Sequence, residues 1–334
     1  MSAHVPQFLV GSERSGTTLL RLMLDHHPQI AFEKEFDFVV AKVSDTGELP
    51  PLDSYLEWIG TVRGADHAIR RRAGYRELVN DFLRQKQAAS GGKPHVGATV
   101  HRDFHRLRFL WPDARYIHLV RDPRDVARSV VQKGWAGNVY QASEFWIHAE
   151  RCWDELVSHL PSERVIEIRY EELVRRPEAV LAEICRFVGV AYSGKMLDYR
   201  EDAPQYPPPD PNLVAQWKTK LRPRDVALVE LRTQSLMVSR GYALSGYPPP
   251  RVGPMGRALL DTAGRLRRLR NRVDVFGARL VALELLARRL GLRRLAMRAQ
   301  KQLNAIEQRL IDQEREGARA PSANIAPIRG VAAR

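Results

Sequence analysis

The stretch Phe8–Asp25, FLVGSERSGTTLLRLMLD, limits what this chain can fold into more than any other. A short apolar strand, Phe8–Val10, runs into Gly11. The loop Gly11–Gly16 follows, and a helix opens near Thr17 with Leu19, Leu20, Met23 and Leu24 on one face. A strand, a Gly-bounded loop and a helix N-terminus together make an anion cradle: free backbone N–H groups converge there and the helix dipole adds partial positive charge. The spacing follows the phosphate-binding loop as far as Gly16, where Lys should come next and Thr17 stands instead. The basic residue is Arg14, inside the loop. A 5′-phosphate or phosphosulfate fits that arrangement better than a magnesium nucleoside triphosphate.

A second signal lies in Arg115–Gln132, RYIHLVRDPRDVARSVVQ. Tyr116–Val120 is a buried strand by composition, with β-branched Ile117 and Val120. Arg121 stands at its C-terminal end, Pro123 suits the first turn of a helix, and Ser129 follows on that helix. In an open parallel sheet, ligands bind beyond the carboxyl ends of the strands. Gly11–Thr18 and Arg121–Ser129 are therefore expected to face one crevice.

The pair GSERSGTTLL and VRDPRDVARSVV resembles the sulfotransferases that use 3′-phosphoadenosine 5′-phosphosulfate (PAPS), in their bacterial branch and its protein-tyrosine relatives. GWAGNVYQ at Gly134–Gln141, RVIEIRYEELVRRPEAVLAEICRFVG at Arg164–Gly189 and QWK at Gln216–Lys218 look like further segments of that family. The resemblance implies that Ser12, Arg14, Ser15, Gly16, Thr17 and Thr18 hold the 5′-phosphosulfate and that Arg121 and Ser129 hold the 3′-phosphate. It also implies that Tyr170 lies near the adenine and that Trp217 and Lys218 close over the 3′-phosphate, with Trp135 either lining the site or packing in the core. The implied reaction is in-line transfer of a sulfuryl group to a hydroxyl of a small molecule, carbohydrate or glycolipid. As in phosphoryl transfer, such catalysis rests on positioning and electrostatics, and Arg14 suits neutralisation of the leaving oxygens. For the general base, Glu35 and His101 are both candidates, with Glu33 close by. Glu35 could instead be a helix N-terminal carboxylate. His101 follows GATV, where the family's Lys is replaced by Ala98. His27 and His105 are expected as capping or helix-surface residues and His118 as a satisfied core histidine.

Strands alternating with helices imply an α/β chain with a P-loop-like, doubly wound parallel sheet flanked by helices. The expected strands are Gln7–Val10, Ile30–Phe32, His95–Val100, Tyr116–Val120 and Val165–Arg169. Helical patterns cover Thr17–His26, Phe36–Val43, Tyr55–Arg63, Tyr75–Gln87, Phe104–Leu110, Pro123–Lys133, Ser143–Leu160, Glu178–Val188 and Pro223–Arg240. Ala203–Pro211, APQYPPPDP, is too rich in proline for regular structure and reads as a lid or substrate loop. These elements give a catalytic domain over residues 1–247, a basic helical extension over 248–316 and a disordered tail over 317–334.

Charge separates the parts. Residues 251–334 hold 19 Lys and Arg against 7 Asp and Glu, whereas residues 1–250 hold 34 against 32. Nearly all of the net +14 therefore belongs to the extension, and it gives no reason to expect the catalytic region to bind nucleic acid. The extension carries Leu259, Ala263, Leu266, Leu269, Val273, Phe276, Leu280, Leu283, Ala287 and Leu290 at helical spacing. Three readings follow for residues 255–312: packing on this chain or self-association, a basic amphipathic helix on an anionic membrane, or, least supported because few aromatics are interleaved, nucleic-acid binding.

No apolar run reaches the ~18 residues that span a bilayer, and the N-terminus lacks the features of a secretory signal. Cys152 and Cys185, the two cysteines, read as buried free thiols in a reducing cytoplasm, with the inner membrane face as a peripheral site. No HExxH and no paired CxxC is present, so no metal is expected. Two other functions compete. A P-loop kinase using ATP calls for Lys at position 17 and a Walker-B Asp ending a strand, but Arg121 precedes Asp122. A catalytically weak relative binding membrane or partner is the third.

Overall fold

The computed structural model describes residues 5–60, 62, 67–70 and 74–319. In chain order the elements are β1 (Gln7–Val10), α1 (Thr17–Asp25), β2 (Ile30–Glu35), α2 (Leu52–Ile59), α3 (Tyr75–Ala89), β3 (His95–Val100), α4 (Leu107–Leu110), β4 (Arg115–Val120), α5 (Pro123–Gln132), α6 (Val139–Val157), β5 (Val165–Arg169), α7 (Tyr170–Arg175), α8 (Pro177–Val188), α9 (Trp217–Lys220), α10 (Pro223–Ser239), α11 (Pro254–Phe276), α12 (Ala278–Arg289) and α13 (Arg293–Arg319). They divide into two compact units, Met1–Asp122 with Phe145–Gln216, and Pro123–Glu144 with Trp217–Arg334.

The first unit holds the sheet, whose five strands run parallel in the order β2-β3-β1-β4-β5. β1 is central: Gln7 pairs with Gly97 on one side and Arg115 on the other. Because side chains alternate along a strand, Phe8 and Val10 enter a core on one face with Phe36, Phe82, Phe104, Trp111 and Tyr116. Leu9 enters a second core on the other face with Leu20, Ile117, Leu119, Ile168, Leu181 and Ile184. Both faces of the sheet are thus covered by apolar side chains, as a parallel sheet requires.

Four expected elements differ. The pattern Phe36–Val43 forms only a short 3-10 turn, Asp37–Val39, because Phe36 and Phe38 pack edge-on to each other and to Phe82 in the core. β2 runs on through Glu35, with a bulge between Glu33 and Glu35. Glu35 therefore ends a strand and is not a helix N-terminal carboxylate. α2 begins at Leu52 and stops at Ile59; positions 61 and 63 of the expected helix fall outside the described residues. α6 opens at Val139, ahead of the expected Ser143.

The second unit is helical. Arg124 on α5 is buried, donates to Glu230 of α10 at 2.8 Å, and lies 3.7 Å over the Trp217 ring of α9. α11 is docked on residues 137–141. A Cβ at Gly137 would meet Gly264 O at 2.1 Å, and Asn138 and Gln141 donate to the carbonyls of Leu260 and Asp261 at 2.7 and 2.9 Å. The helical stripe expected from Leu259 to Leu290 is interrupted at Gly277, which separates α11 from α12, and a third helix, α13, follows Gly291. Phe276, Val281 and Leu303 form a small core, while Met255, Leu259 and Leu266 stay exposed. Helix α13 carries regular backbone through Gly317–Arg319, into the expected tail; residues 320–334 lie outside the described residues. Among the described residues, no helix is long and apolar enough to cross a membrane.

Candidate active site

The site is built at the carboxyl ends of the five strands of the first unit. Gly11 leaves β1 so close to β4 that a Cβ would stand 2.4 Å from Leu119 O. Arg14 adopts a left-handed conformation, φ 69°, and Gly16, φ 97°, begins α1 without any side-chain cap. The first-turn N–H groups of α1, which have no acceptor inside the helix, are therefore left for a ligand. Ser12 and Ser15 are fully buried. Ser12 Oγ donates to Glu13 O at 3.0 Å, whereas Ser15 Oγ is buried with no hydrogen-bond partner among the described residues. Thr17 is buried and Thr18 half-buried beside it. An uncapped helix start and an orphaned buried hydroxyl are what an anion cradle needs.

Arg121 closes one side of this loop. Its guanidinium donates to Arg14 O at 3.2 Å and to Leu213 O at 3.1 Å, and lies 4.1 Å over the ring of Tyr170. Its Nε is buried without a partner among the described residues. The Tyr170 ring in turn fills the space a side chain at Gly16 would take, 2.4 Å from the ideal Cβ position. Two buried contacts hold the turn after β4: Trp146 Nε1 donates to Arg121 O at 2.9 Å, and Glu171 Oε1 accepts from the Asp122 N–H at 3.0 Å. Linear spacing does not reveal Trp146 and Glu171, since their partners come from other elements.

The other side is carboxylate-rich. His101, 6% exposed, shares a hydrogen bond at 3.0 Å between Nδ1 and Gly11 O. Asp37 Oδ1 accepts from the backbone N–H of both His101 and Arg102 at 2.8 Å, and Arg102 Nε donates to Glu13 Oε1 at 2.6 Å. Burial alone lowers the His101 pKa, but Asp37, Glu13 and Glu35 outweigh it and raise it. Burial pushes the Asp37 carboxyl up, against the pull of His101. Glu35 is exposed at the end of β2. Glu33 is committed elsewhere, 3.4 Å from His67. Burial opposes its ionisation, yet His67, the Lys34 N–H and Lys86 bring its carboxyl down to about 2.

The remaining histidines also have partners. His27 is buried, with Nε2 2.9 Å from Ala191 O and Nδ1 accepting from the Gln29 N–H. His105, expected at the surface, is 5% exposed and faces Asp45 at 3.0 Å. His118 is a buried core histidine stacked on Trp153, with Glu150 and Glu167 at 3.4 and 3.1 Å. Cys152 and Cys185 are buried free thiols.

Thus Ser12, Arg14, Ser15, Gly16, Thr17, Thr18, Glu35, His101, Arg121 and Tyr170 all belong to the first unit, around the same strand ends. Ser129, Trp135, Trp217 and Lys218 belong to the second. There Ser129 sits half-buried on α5. Trp217, 7% exposed, is held by its backbone N–H to Asp125 Oδ1 at 2.8 Å, with Lys218 Nζ 5.7 Å from the ring centre. The chemistry such a first unit offers is retention of an anion on backbone N–H groups and Arg, next to groups able to hold or accept a proton.

Known proteins share this architecture. The sulfotransferase domain from the curacin biosynthetic pathway superimposes with a TM-score of 0.52 at 22% identity over 72% of this chain and 100% of its own. The sulfotransferase domain from the Synechococcus PCC 7002 olefin synthase gives 0.53 at 24% identity over 73% and 98%. In sequence, the chain is 26% identical over 211 residues to a protein-tyrosine sulfotransferase of Drosophila melanogaster, covering 58% of this chain and 40% of that protein. It is 21% identical over 208 residues to protein-tyrosine sulfotransferase A of Caenorhabditis elegans, covering 58% and 52%. The chain thus spans about half the length of these curated relatives. The profile of the sulfotransferase family matches residues 6–194, the stretch that carries every strand and the whole Gly11–Thr18 cradle, and the chain belongs to that family.

Proposed function

We propose that this chain is a sulfotransferase that moves the sulfuryl group of PAPS onto an acceptor hydroxyl. The observation that carries the reading is the uncapped α1 N-terminus with the orphaned Ser15 hydroxyl, closed by Arg121 stacked on Tyr170. A loop with Arg14 and Thr17 where a kinase loop ends in Lys suits a phosphosulfate held without magnesium. PAPS, when bound, supplies the sulfuryl group on a phosphosulfate anhydride, leaving 3′-phosphoadenosine 5′-phosphate (PAP).

The chain's own groups take the following parts. Ser12, Ser15 and the N–H groups of Gly16, Thr17 and Thr18 bind the 5′-phosphosulfate, and Arg14 offsets charge on the leaving oxygens. Arg121 with Ser129 selects the 3′-phosphate, Tyr170 offers a flat surface to the base, and Trp217 with Lys218 closes over the 3′-phosphate. Glu35 takes the acceptor proton. His101 has one ring nitrogen engaged on Gly11 O and is almost fully buried, which favours the exposed Glu35 for that step and His101 for fixing the loop. The acceptor is a hydroxyl of a small molecule, carbohydrate or glycolipid. The relatives named above also make a tyrosine hydroxyl a member of any acceptor panel. The reading assigns catalysis to residues 1–247. Residues 248–316 form a basic extension whose exposed Met255, Leu259 and Leu266 suit an anionic membrane face or a second copy of the chain. Two buried free thiols support a reducing cytoplasm.

The test is calorimetric titration with PAP, with adenosine 5′-phosphate and ATP as controls. Binding that needs the 3′-phosphate and fails in Arg121→Ala supports the reading. ATP binding with no preference for a 3′-phosphate overturns it in favour of a kinase. PAP binding without turnover on any acceptor would instead favour the non-catalytic relative.

A further inference from the structure

Away from the cradle, the loop after β3 and helix α6 bring three unlike side chains to one point. Asp103 Oδ1 lies 3.2 Å from His148 Nε2, and Cys152 Sγ lies 3.6 Å from the same Nε2. All three ligand atoms fall within 4.8 Å of one another. His148 and Cys152 are four residues apart on α6, so they share a helix face. Asp103 comes from distant sequence, held at φ 50°, a conformation non-glycine residues seldom adopt and one that clusters at functional positions.

The geometry discriminates between two uses of a Cys, a His and an Asp. A nucleophilic triad passes a proton along opposite nitrogens of the imidazole, with the thiol on one and the carboxylate on the other. Here both approach Nε2, and a single N–H cannot point at both. Three donors converging on a common centre are the pattern of a cation site. Tetrahedral zinc, with bonds of about 2.0–2.1 Å to nitrogen and oxygen and about 2.3 Å to sulfur, separates its N and O ligands by about 3.3 Å and its N and S ligands by about 3.6 Å. The observed separations are 3.2 and 3.6 Å.

A second observation points the same way. His105 is 5% exposed, and its ring interacts with the Cys152 thiol. Its Nε2 faces Asp45 at 3.0 Å, while its Nδ1 is buried with no hydrogen-bond partner among the described residues. A buried imidazole with one nitrogen oriented by a carboxylate and the other unsatisfied is how proteins present a histidine to a metal. The His148 side chain is 43% exposed, which leaves an entry path and room for a water ligand.

We propose that Asp103, His148 and Cys152, with His105 beside them, form a binding site for a borderline-soft divalent cation of the zinc type. Binding converts the Cys152 thiol to a thiolate, its proton leaving to solvent. The ion ties the loop that carries His101, two residues before Asp103, to α6, and so acts as a structural clip independent of the sulfuryl-transfer reading.

The probe is Zn²⁺ itself, titrated against a chromophoric competitor into the full chain after chelator treatment and dialysis. One equivalent per chain is expected, with affinity falling roughly 100-fold or more in both His148→Gln and Cys152→Ser, since loss of a direct ligand exceeds the 10–100-fold cost of losing an outer partner. His148→Gln, at a half-exposed position, should melt with the metal-free wild type, which separates lost ligation from misfolding. Co²⁺ in place of Zn²⁺ should give a thiolate-to-cobalt absorption band that Cys152→Ser abolishes. Absence of stoichiometric binding by the wild type, or retention of that binding and the cobalt band in both variants, overturns the proposal.

Discussion

Replacing Gly16 by Ala tests how tightly the cradle is coupled to Tyr170. The added methyl would stand 2.4 and 2.6 Å from two carbons of the Tyr170 ring, far inside van der Waals contact, on a backbone at φ 97°. The left-handed conformation costs a non-glycine residue about 1–2 kcal/mol, and forcing a methyl into a packed site costs about 1–3 kcal/mol more. The sum, about 2–5 kcal/mol, corresponds to a melting temperature lower by roughly 4–20 °C, at about 2–4 °C per kcal/mol. A double-mutant cycle with Tyr170→Ala isolates the steric part. With the ring gone only the backbone term should remain, so Gly16→Ala should be milder by about 1–3 kcal/mol in that background. Calorimetric melts of the four proteins give the coupling. Titration with PAP gives the functional side: affinity should fall about tenfold or more in Gly16→Ala, because a displaced Tyr170 also removes the surface on which Arg121 stacks. Equal stability costs in both backgrounds, or a Gly16→Ala protein melting within about 1 °C of wild type, would refute the coupling.

Arg121→Ala should weaken PAP by about 10–100-fold, the worth of a charge-assisted hydrogen bond, while leaving adenosine 5′-phosphate nearly unchanged; equal losses for both ligands would show that Arg121 serves the loop rather than the 3′-phosphate. Glu35→Gln should cut turnover by about 10²–10⁴ with PAP affinity intact, and full activity in that variant would pass the role to another group. Glu33, lowered from 4.5 to about 2, stabilises the folded chain above pH 4.5, and that contribution disappears as pH falls towards 2. The stability gap between wild type and Glu33→Gln, about 1–3 kcal/mol at neutral pH, should therefore shrink in denaturant melts at pH 3, and a gap that does not change with pH would contradict the His67 pairing. Glu230→Ala removes the buried carboxylate to which Arg124, 4% exposed, donates, and should destabilise by about 3–5 kcal/mol; a denaturation midpoint close to wild type would mean that the pair contributes little.

Much of this was legible because it is local. The run Phe8–Asp25 encodes a strand, a turn and a helix within one window, and the apolar strand before Arg121 announces where that side chain must stand. What was not legible depends on partners distant in sequence. Glu35 cannot be assigned to a strand from its neighbours, because β2 is prolonged by pairing with Thr99 across a bulge. The sequence places Tyr170 after a strand but not against Gly16, and nothing near Trp146 says that its indole holds the Arg121 carbonyl. His105 looks like a surface residue until Asp45 and Cys152 close around it. The extension misled in another way: its spacing carries the stripe from Leu259 to Leu290 straight through Gly277, where the helix breaks, and Gly137 with Gly264 permits a close approach that no periodicity records.

The central position of β1 also sets a timetable for synthesis. Its pairing partners begin at Gly97 and Arg115, and β2, made in between, pairs with β3 rather than with β1. A nascent chain therefore carries its first apolar strand with no sheet neighbour until some 90 further residues have been added, roughly 5–20 s at ribosomal rates. During that interval Gly11–Gly16 is an ordinary flexible stretch, since neither Leu119 nor Tyr170 yet exists to shape it. On the proposed function, a nucleotide would meet a shaped cradle only after Leu119 and Tyr170 have been made, since both pack against the loop.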